Sequence, residues 1–139
     1  MIKTEIVRDP KDGSVFIKRY MPWFTKKVCI NVIYKDYEHM HCHPWNYFTL
    51  ILWGGYKETV KLGNQSYTAN RYPGYFTYRR YTDFHKISPL KKKAVTLFFR
   101  SELKAKFSKF LVNGKVMPGA KYWLMQGANV RKMIDEFKS

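Results

Sequence analysis

HCHPWNYFTLILWGGYKE, residues 41–58, is the stretch on which the fold turns. It holds two histidines one residue apart, then the most apolar run of the chain, Tyr47–Trp53, then the glycine pair Gly54-Gly55. Tyr56–Leu62 follows and alternates apolar with polar residues. A short apolar run bounded by a turn signal reads as a buried strand, and alternation reads as a strand with one wet face. Downstream, Leu62-Gly63-Asn64-Gln65 reads as a hairpin turn into Gln65–Asn70. Tyr75–Arg79 follows Pro73-Gly74, and His85–Ser88 and Ala94–Arg100 come next. Phe110–Val112 and Lys115–Met117 flank Asn113-Gly114, a dipeptide suited to a type I′ hairpin. Upstream, Val28–Tyr34 is β-branched and mostly apolar, and Val15–Arg19 follows Asp12-Gly13. Helix is expected only in short pieces, at Ser101–Phe107 and at the C-terminus. There Asn129 caps Val130–Phe137, and Val130, Met133, Ile134 and Phe137 share one face. Many strands at close spacing with one terminal helix predict an all-β sandwich or barrel.

The chain has 139 residues, one domain's worth, with no linker, low-complexity stretch or internal repeat, so residues 1–139 are read as a single domain. Hydrophobic residues make up 45% and aromatics 18%, which excludes a disordered tail. No apolar run approaches a membrane span, and MIKTEIVRDPKDG lacks the apolar region of a secretory signal. The expected location is therefore the cytoplasm. Two cysteines, Cys29 and Cys42, make neither a disulfide scaffold nor a four-thiolate zinc site, and both are expected as buried free thiols. Against 10 Asp+Glu stand 26 Lys+Arg, a formal charge of +16. Such an excess points to an anionic partner, whether nucleic acid, nucleotide or phosphorylated metabolite, and also fits a lysine-decorated soluble surface. There is no P-loop, no Gly-x-Gly-x-x-Gly, no Gly-x-Ser-x-Gly elbow and no RNP motif.

Three of the four histidines, His39, His41 and His43, are spaced by two. On a strand they would share a face, and neutral imidazoles so placed can bind a divalent transition metal. The surrounding spacing resembles the two motifs of the cupin superfamily. In the first, a His-x-His pair precedes a glycine turn, met here by His41, His43 and Gly55. In the second, a Pro-Gly turn precedes a third histidine, met by Pro73, Gly74 and His85. His41-x-His43-Pro44-Trp45, Phe48, Gly54-Gly55-Tyr56-x-Glu58 and Arg71-x-Pro73-Gly74 are similar to a group of small bacterial and phage cupins, over roughly residues 28–123.

The resemblance implies a double-stranded β-helix, the cupin jelly-roll barrel, with the short C-terminal helix outside it. It implies His41, His43 and His85 as ligands of a divalent transition metal (Fe, Zn, Mn or Ni), with His39 at the rim. The acid usual in the first motif would fall at Tyr47 or Phe48, neither of which is a carboxylate. Three neutral imidazoles leave positions open for substrate. The function implied is a mononuclear metal enzyme, an iron oxygenase, lyase or isomerase, acting on a small anion. Tyr47 would donate a proton and Arg71 or Arg79 would grip the anion. Glu58 would either carry a buried ion pair or sit on the surface. The alternative is a non-catalytic barrel that holds a nucleotide or a nucleic acid, in the host cytoplasm if phage-encoded. A homodimer is the assembly such barrels often adopt.

Overall fold

The computed structural model describes residues 1–9, 11–36, 39–119 and 121–122. Alternation decides which face of each strand turns inward. In β6 (Tyr56–Leu62), Tyr56, Glu58 and Val60 are buried while Lys57 is exposed. β5 (Tyr47–Trp53) buries Tyr47, Thr49 and Ile51, and β10 (Ala94–Arg100) buries Ala94, Thr96 and Phe98. β3 (Val28–Ile33) buries Cys29, Asn31 and Ile33. This period of two is what a strand with one face on a core requires.

The remaining strands are β1 (Ile2–Arg8), β2 (Val15–Pro22), β4 (Met40–Cys42), β7 (Gln65–Arg71), β8 (Phe76–Arg79), β9 (His85–Pro89), β11 (Lys109–Val112) and β12 (Lys115–Pro118). All pair antiparallel in two six-stranded sheets, β1-β2-β3-β10-β5-β8 and β12-β11-β4-β9-β6-β7. Consecutive strands β5 and β6 lie in different sheets, and so do β8 and β9. The chain therefore winds between the two layers as a double-stranded β-helix does, and the inner faces form one jelly-roll interior.

The crossover from β5 to β6 rests on Gly54 and Gly55. Both have positive φ, +82° and +81°, and a Cβ on either would stand 2.4 Å from the Lys93 carbonyl oxygen or 2.5 Å from that of Arg71. Only glycine fits such a close backbone approach. Asn113 and Gly114 both adopt positive φ, 51° and 78°, as the type I′ reading requires. Ser101–Phe107 is corrected: it runs as bends, not a helix. Its backbone is held by loop bonds, among them Lys104 N to the Pro44 carbonyl at 2.7 Å. The expected helix Val130–Phe137 lies outside the described residues. Among those described, no helix is long and apolar enough to cross a membrane.

Candidate metal centre

Register brings the histidines together. β4 is only three residues long, and His41 is the Cα partner of His85 on β9. His43 follows β4 in the turn before β5, where Pro44 is buried and Trp45 stacks on its ring at 5.9 Å. Donor atoms of His41, His43 and His85 all lie within 4.8 Å of one another. His39 does not join them: its Nδ1 lies 2.9 Å from the Tyr122 hydroxyl. The shared face expected of all three spaced histidines fails because the strand ends at Met40 and frees His39 to turn away.

Glu58 organises the third histidine. Its side chain is 1% exposed, yet Oε2 accepts from His85 Nδ1 at 2.9 Å, and Oε1 accepts from Arg79 Nη2 at 2.8 Å and Arg71 Nε at 3.2 Å. Burial alone would raise its pKa, but the bond from His85 and the Arg79 guanidinium outweigh it and hold the carboxyl down at about 2. With Nδ1–H donating to Glu58, His85 keeps its Nε2 lone pair turned inward, where the Tyr47 hydroxyl donates to it at 3.0 Å. Tyr47 is wholly buried, and burial first, then the Glu58 charge, pushes its pKa well above 10, so the phenol keeps its proton.

His41 and His43 are held neutral. Burial lowers the pKa of each well below 6.5, and neighbouring imidazoles lower them further. Neutral imidazole is the ligating form. The donor set thus fits a divalent transition metal.

Two residues near the cluster were not foreseen from the sequence. Asp36, in the loop before β4, has Oδ1 4.0 Å from His41 Nε2 and accepts from the Ile87 amide through Oδ2. No local pattern marks it, because a loop carries no period. Arg19 lines the central cavity beside His43 and Trp45 and has no hydrogen bond or ion pair among the described residues; Glu5 is its cross-strand partner but lies beyond ion-pair distance. Alternation did carry a signal here, since Ile17, Arg19 and Met21 share a parity. The cavity, about 70 Å³, is also lined by Glu58, Arg79, Tyr47 and Thr96. Arg71 is not among its lining residues; its guanidinium lies over the Tyr75 ring at 4.6 Å.

No family model and no curated protein matches the chain. Solved structures do. Fe(II)-HppE with the alternative substrate (S)-1-HPP superposes with TM-score 0.55 at 12% identity, over 71% of this chain and 56% of that one. The Drosophila melanogaster CENP-C cupin domain gives TM-score 0.53 at 11% identity, over 71% of this chain and 76% of that one. This chain has the cupin fold. CENP-C bound to CAL1 aligns similarly, with TM-score 0.54 at 13% identity over 72% of this chain and 80% of the other. The chain spans a little over half the length of HppE, the hydroxypropylphosphonic acid epoxidase of S. wedmorenis. At these identities the likeness is one of fold, and the site stands on its own geometry.

Proposed function

We propose that this cupin is a mononuclear metal enzyme, of the oxygenase, lyase or isomerase kind, acting on a small anionic molecule. The observation that carries the reading is the convergence of His41, His43 and His85 inside the barrel, with donor atoms within 4.8 Å. A bound Fe, Zn, Mn or Ni ion would supply Lewis acidity or redox chemistry at a site whose three protein ligands are all neutral. The chain's own groups do the rest. Glu58 fixes the tautomer and orientation of His85, as a carboxylate behind a ligating histidine does. Tyr47 holds a proton at its hydroxyl beside His85 Nε2 and serves as the acid. Arg19, and the buried Nε of Arg79 that has no partner among the described residues, are the cationic groups facing an anion, while Arg71 steadies Glu58. At about 10–15 Å³ for each water-sized group, a 70 Å³ cavity admits a molecule of about five non-hydrogen atoms. An iron-containing neighbour of this fold named for a small phosphonic acid supports both halves of the reading.

The experiment is elemental analysis of tag-free protein, followed by oxygen uptake and mass changes when Fe(II)-loaded protein meets mixtures of small carboxylic and phosphonic acids. About one metal per chain is expected, lost in His85→Ala and kept in His39→Ala, whose ring faces Tyr122. Full occupancy in His85→Ala refutes the ligand assignment.

A second reading, binding of a nucleotide or nucleic acid, is favoured by one surface. The outward face of β6, β7 and β9 presents Lys57, Lys61 and Lys86 among Thr59, Ser66 and Thr68, and its described residues include no carboxylate. Lysines interleaved with hydroxyl groups suit phosphate contacts. The bacterial or phage source implied by the His-x-His-Pro-Trp pattern is compatible with either reading.

A further inference from the structure

Cross-strand partners Arg19, Asn31 and Thr96 make one row across β2, β3 and β10, and all three side chains line the barrel cavity. The rows on either side are apolar, as a barrel interior requires: Ile17, Ile33 and Ala94 on one, Cys29 and Phe98 on the other. Alternation alone would make the middle row apolar too. It is polar instead, and Asn31 and Thr96 are only 6% and 1% exposed. Buried polar groups cost free energy unless they are hydrogen-bonded. Yet Thr96 Oγ1 has no partner among the described residues. Asn31 Oδ1 accepts from the Cys29 thiol at 3.3 Å, while its amide N–H groups have no acceptor among the described residues. Arg19 stands unpaired in the same sense, 14 residues' worth of strand and turn aside from any bond of its own. Trp45 Nε1 and Arg79 Nε, buried and likewise without a partner among the described residues, belong to the same cavity wall. Apart from the Thr96 hydroxyl, these groups can only donate. Convergent donors with a cation among them are satisfied by an acceptor that carries negative charge.

We propose that the Arg19–Asn31–Thr96 row is the seat of a carboxylate, and that the ligand of the cavity is a small monocarboxylic acid rather than a phosphonic one. The inference rests on the small-anion reading above and names the anion's class. Charge is the first argument. Glu58 is matched by Arg79 at 2.8 Å and Arg71 at 3.2 Å. Asp36, the other acid lining the cavity, stands beside His41 and accepts from the Ile87 amide. Arg19 is thus the lining arginine without a carboxylate, and one positive charge answers one negative charge. A carboxylate carries one, whereas a phosphoryl-type group carries nearly two at neutral pH. Shape is the second. The guanidinium fork matches the two oxygens of a planar carboxylate, and the Asn31 amide and Thr96 hydroxyl supply donors for the remaining lone pairs. Size is the third. A carboxylate takes three of the roughly five non-hydrogen atoms that the cavity admits. The remainder reaches toward His41 and His85, which stand on β4 and β9 of the other sheet and line the same cavity.

Glycolate and methylphosphonate, matched in non-hydrogen atoms, test this when titrated into the chelator-treated full chain at neutral pH and constant ionic strength. Calorimetry gives the affinities, and the Trp45 indole N–H signal in proton–nitrogen correlation spectra reports the place. Glycolate should bind, shift that signal and be preferred over methylphosphonate by about tenfold or more. Arg19→Met should weaken glycolate about 100-fold, and Thr96→Val about tenfold. Thr96→Val is the stricter variant, because valine keeps the branched shape and Oγ1 has no bond to lose. Its Tm should not fall, whereas loss of a structural hydroxyl bond lowers Tm. Arg80→Met, at an exposed arginine just beyond β8, should bind glycolate as the parent does. Equal affinity for methylphosphonate, no glycolate binding by the metal-free chain, or binding indifferent to both Arg19→Met and Thr96→Val overturns the inference. The metal reading fails separately. Arg19-dependent glycolate binding in a chain that holds no metal keeps the seat and removes the enzyme, and a metal-loaded chain that ignores glycolate removes the seat and keeps the metal.

Discussion

Replacing Glu58 by glutamine keeps the side chain's shape and one acceptor oxygen but removes the charge that three partners share. Two routes give its cost. The carboxyl sits at about 2 in the folded chain against an ordinary 4.5, and about 2.5 units at 1.36 kcal/mol each is ~3 kcal/mol. Independently, removing one member of a buried ion pair costs about 3–5 kcal/mol. The lower end applies here because Arg71 and Arg79 are 25% and 15% exposed and recover some hydration. Glu58→Gln should therefore lose ~3 kcal/mol at pH 7, about 10 °C in Tm for a chain of this size. Urea unfolding followed by tryptophan fluorescence measures it. The pH dependence supplies the stricter test. A carboxyl whose pKa is depressed on folding contributes fully above 4.5, and its contribution is lost as pH falls toward 2. The variant should lack that limb while the parent shows it. A loss below about 1 kcal/mol at pH 7, or an identical acid limb in both proteins, would refute the assignment of Glu58 as the buried charge that organises the site.

Metal-free protein should also weaken as pH falls below 6.5, because buried His41 and half-buried His43 are held neutral and the unfolded chain takes up their protons first. Urea midpoints at pH 7.5 and 5.5 report it, and a His41→Gln/His43→Gln variant should flatten the difference. Gly54→Ala should cost at least about 2 kcal/mol, since its Cβ would meet the Lys93 carbonyl at 2.4 Å. Gly63→Ala, with nothing within 4 Å, should cost about 1 kcal/mol from its positive φ alone; equal thermal shifts for the two would contradict the crossover geometry. Charge reversal at Lys57, Lys61 and Lys86 should move elution from a polyanion column to lower salt, and unchanged elution would discard the nucleic-acid reading.

Strand positions were legible wherever alternation and a turn dipeptide agreed. β5, β6 and β10 begin and end where the pattern does, because each is flanked by a Gly pair, a Gly-Asn turn or a charged break. β4 was legible only as a histidine spacing: at three residues it is too short to show a period, and its limits come from pairing with β9 and β11. Ser101–Phe107 looked helical because its polar residues carry no strand alternation, but tertiary bonds to Pro44 and Asn46 decide its path.

The site divides along the same line. The three histidines were legible through the resemblance to the two cupin motifs, whose spacings to Gly55 and Gly74 this sequence meets. What spacing did not reveal was the carboxylate's place. Along the strand that follows His43 the first motif has no acid, and Tyr47 faces inward there. The acid enters from the neighbouring strand instead: Glu58 lies on β6, which pairs with β9, and so approaches His85 from behind through Nδ1 rather than from the metal side. That position alters the chemistry. A carboxylate among the ligands would cancel part of a bound ion's charge; one behind a ligand, itself neutralised by Arg71 and Arg79, orients the imidazole and would leave that charge uncancelled. The same two arginines, read from sequence as anion grips, are drawn to Glu58, and that makes Arg19 the cation with most freedom to meet a ligand in the cavity.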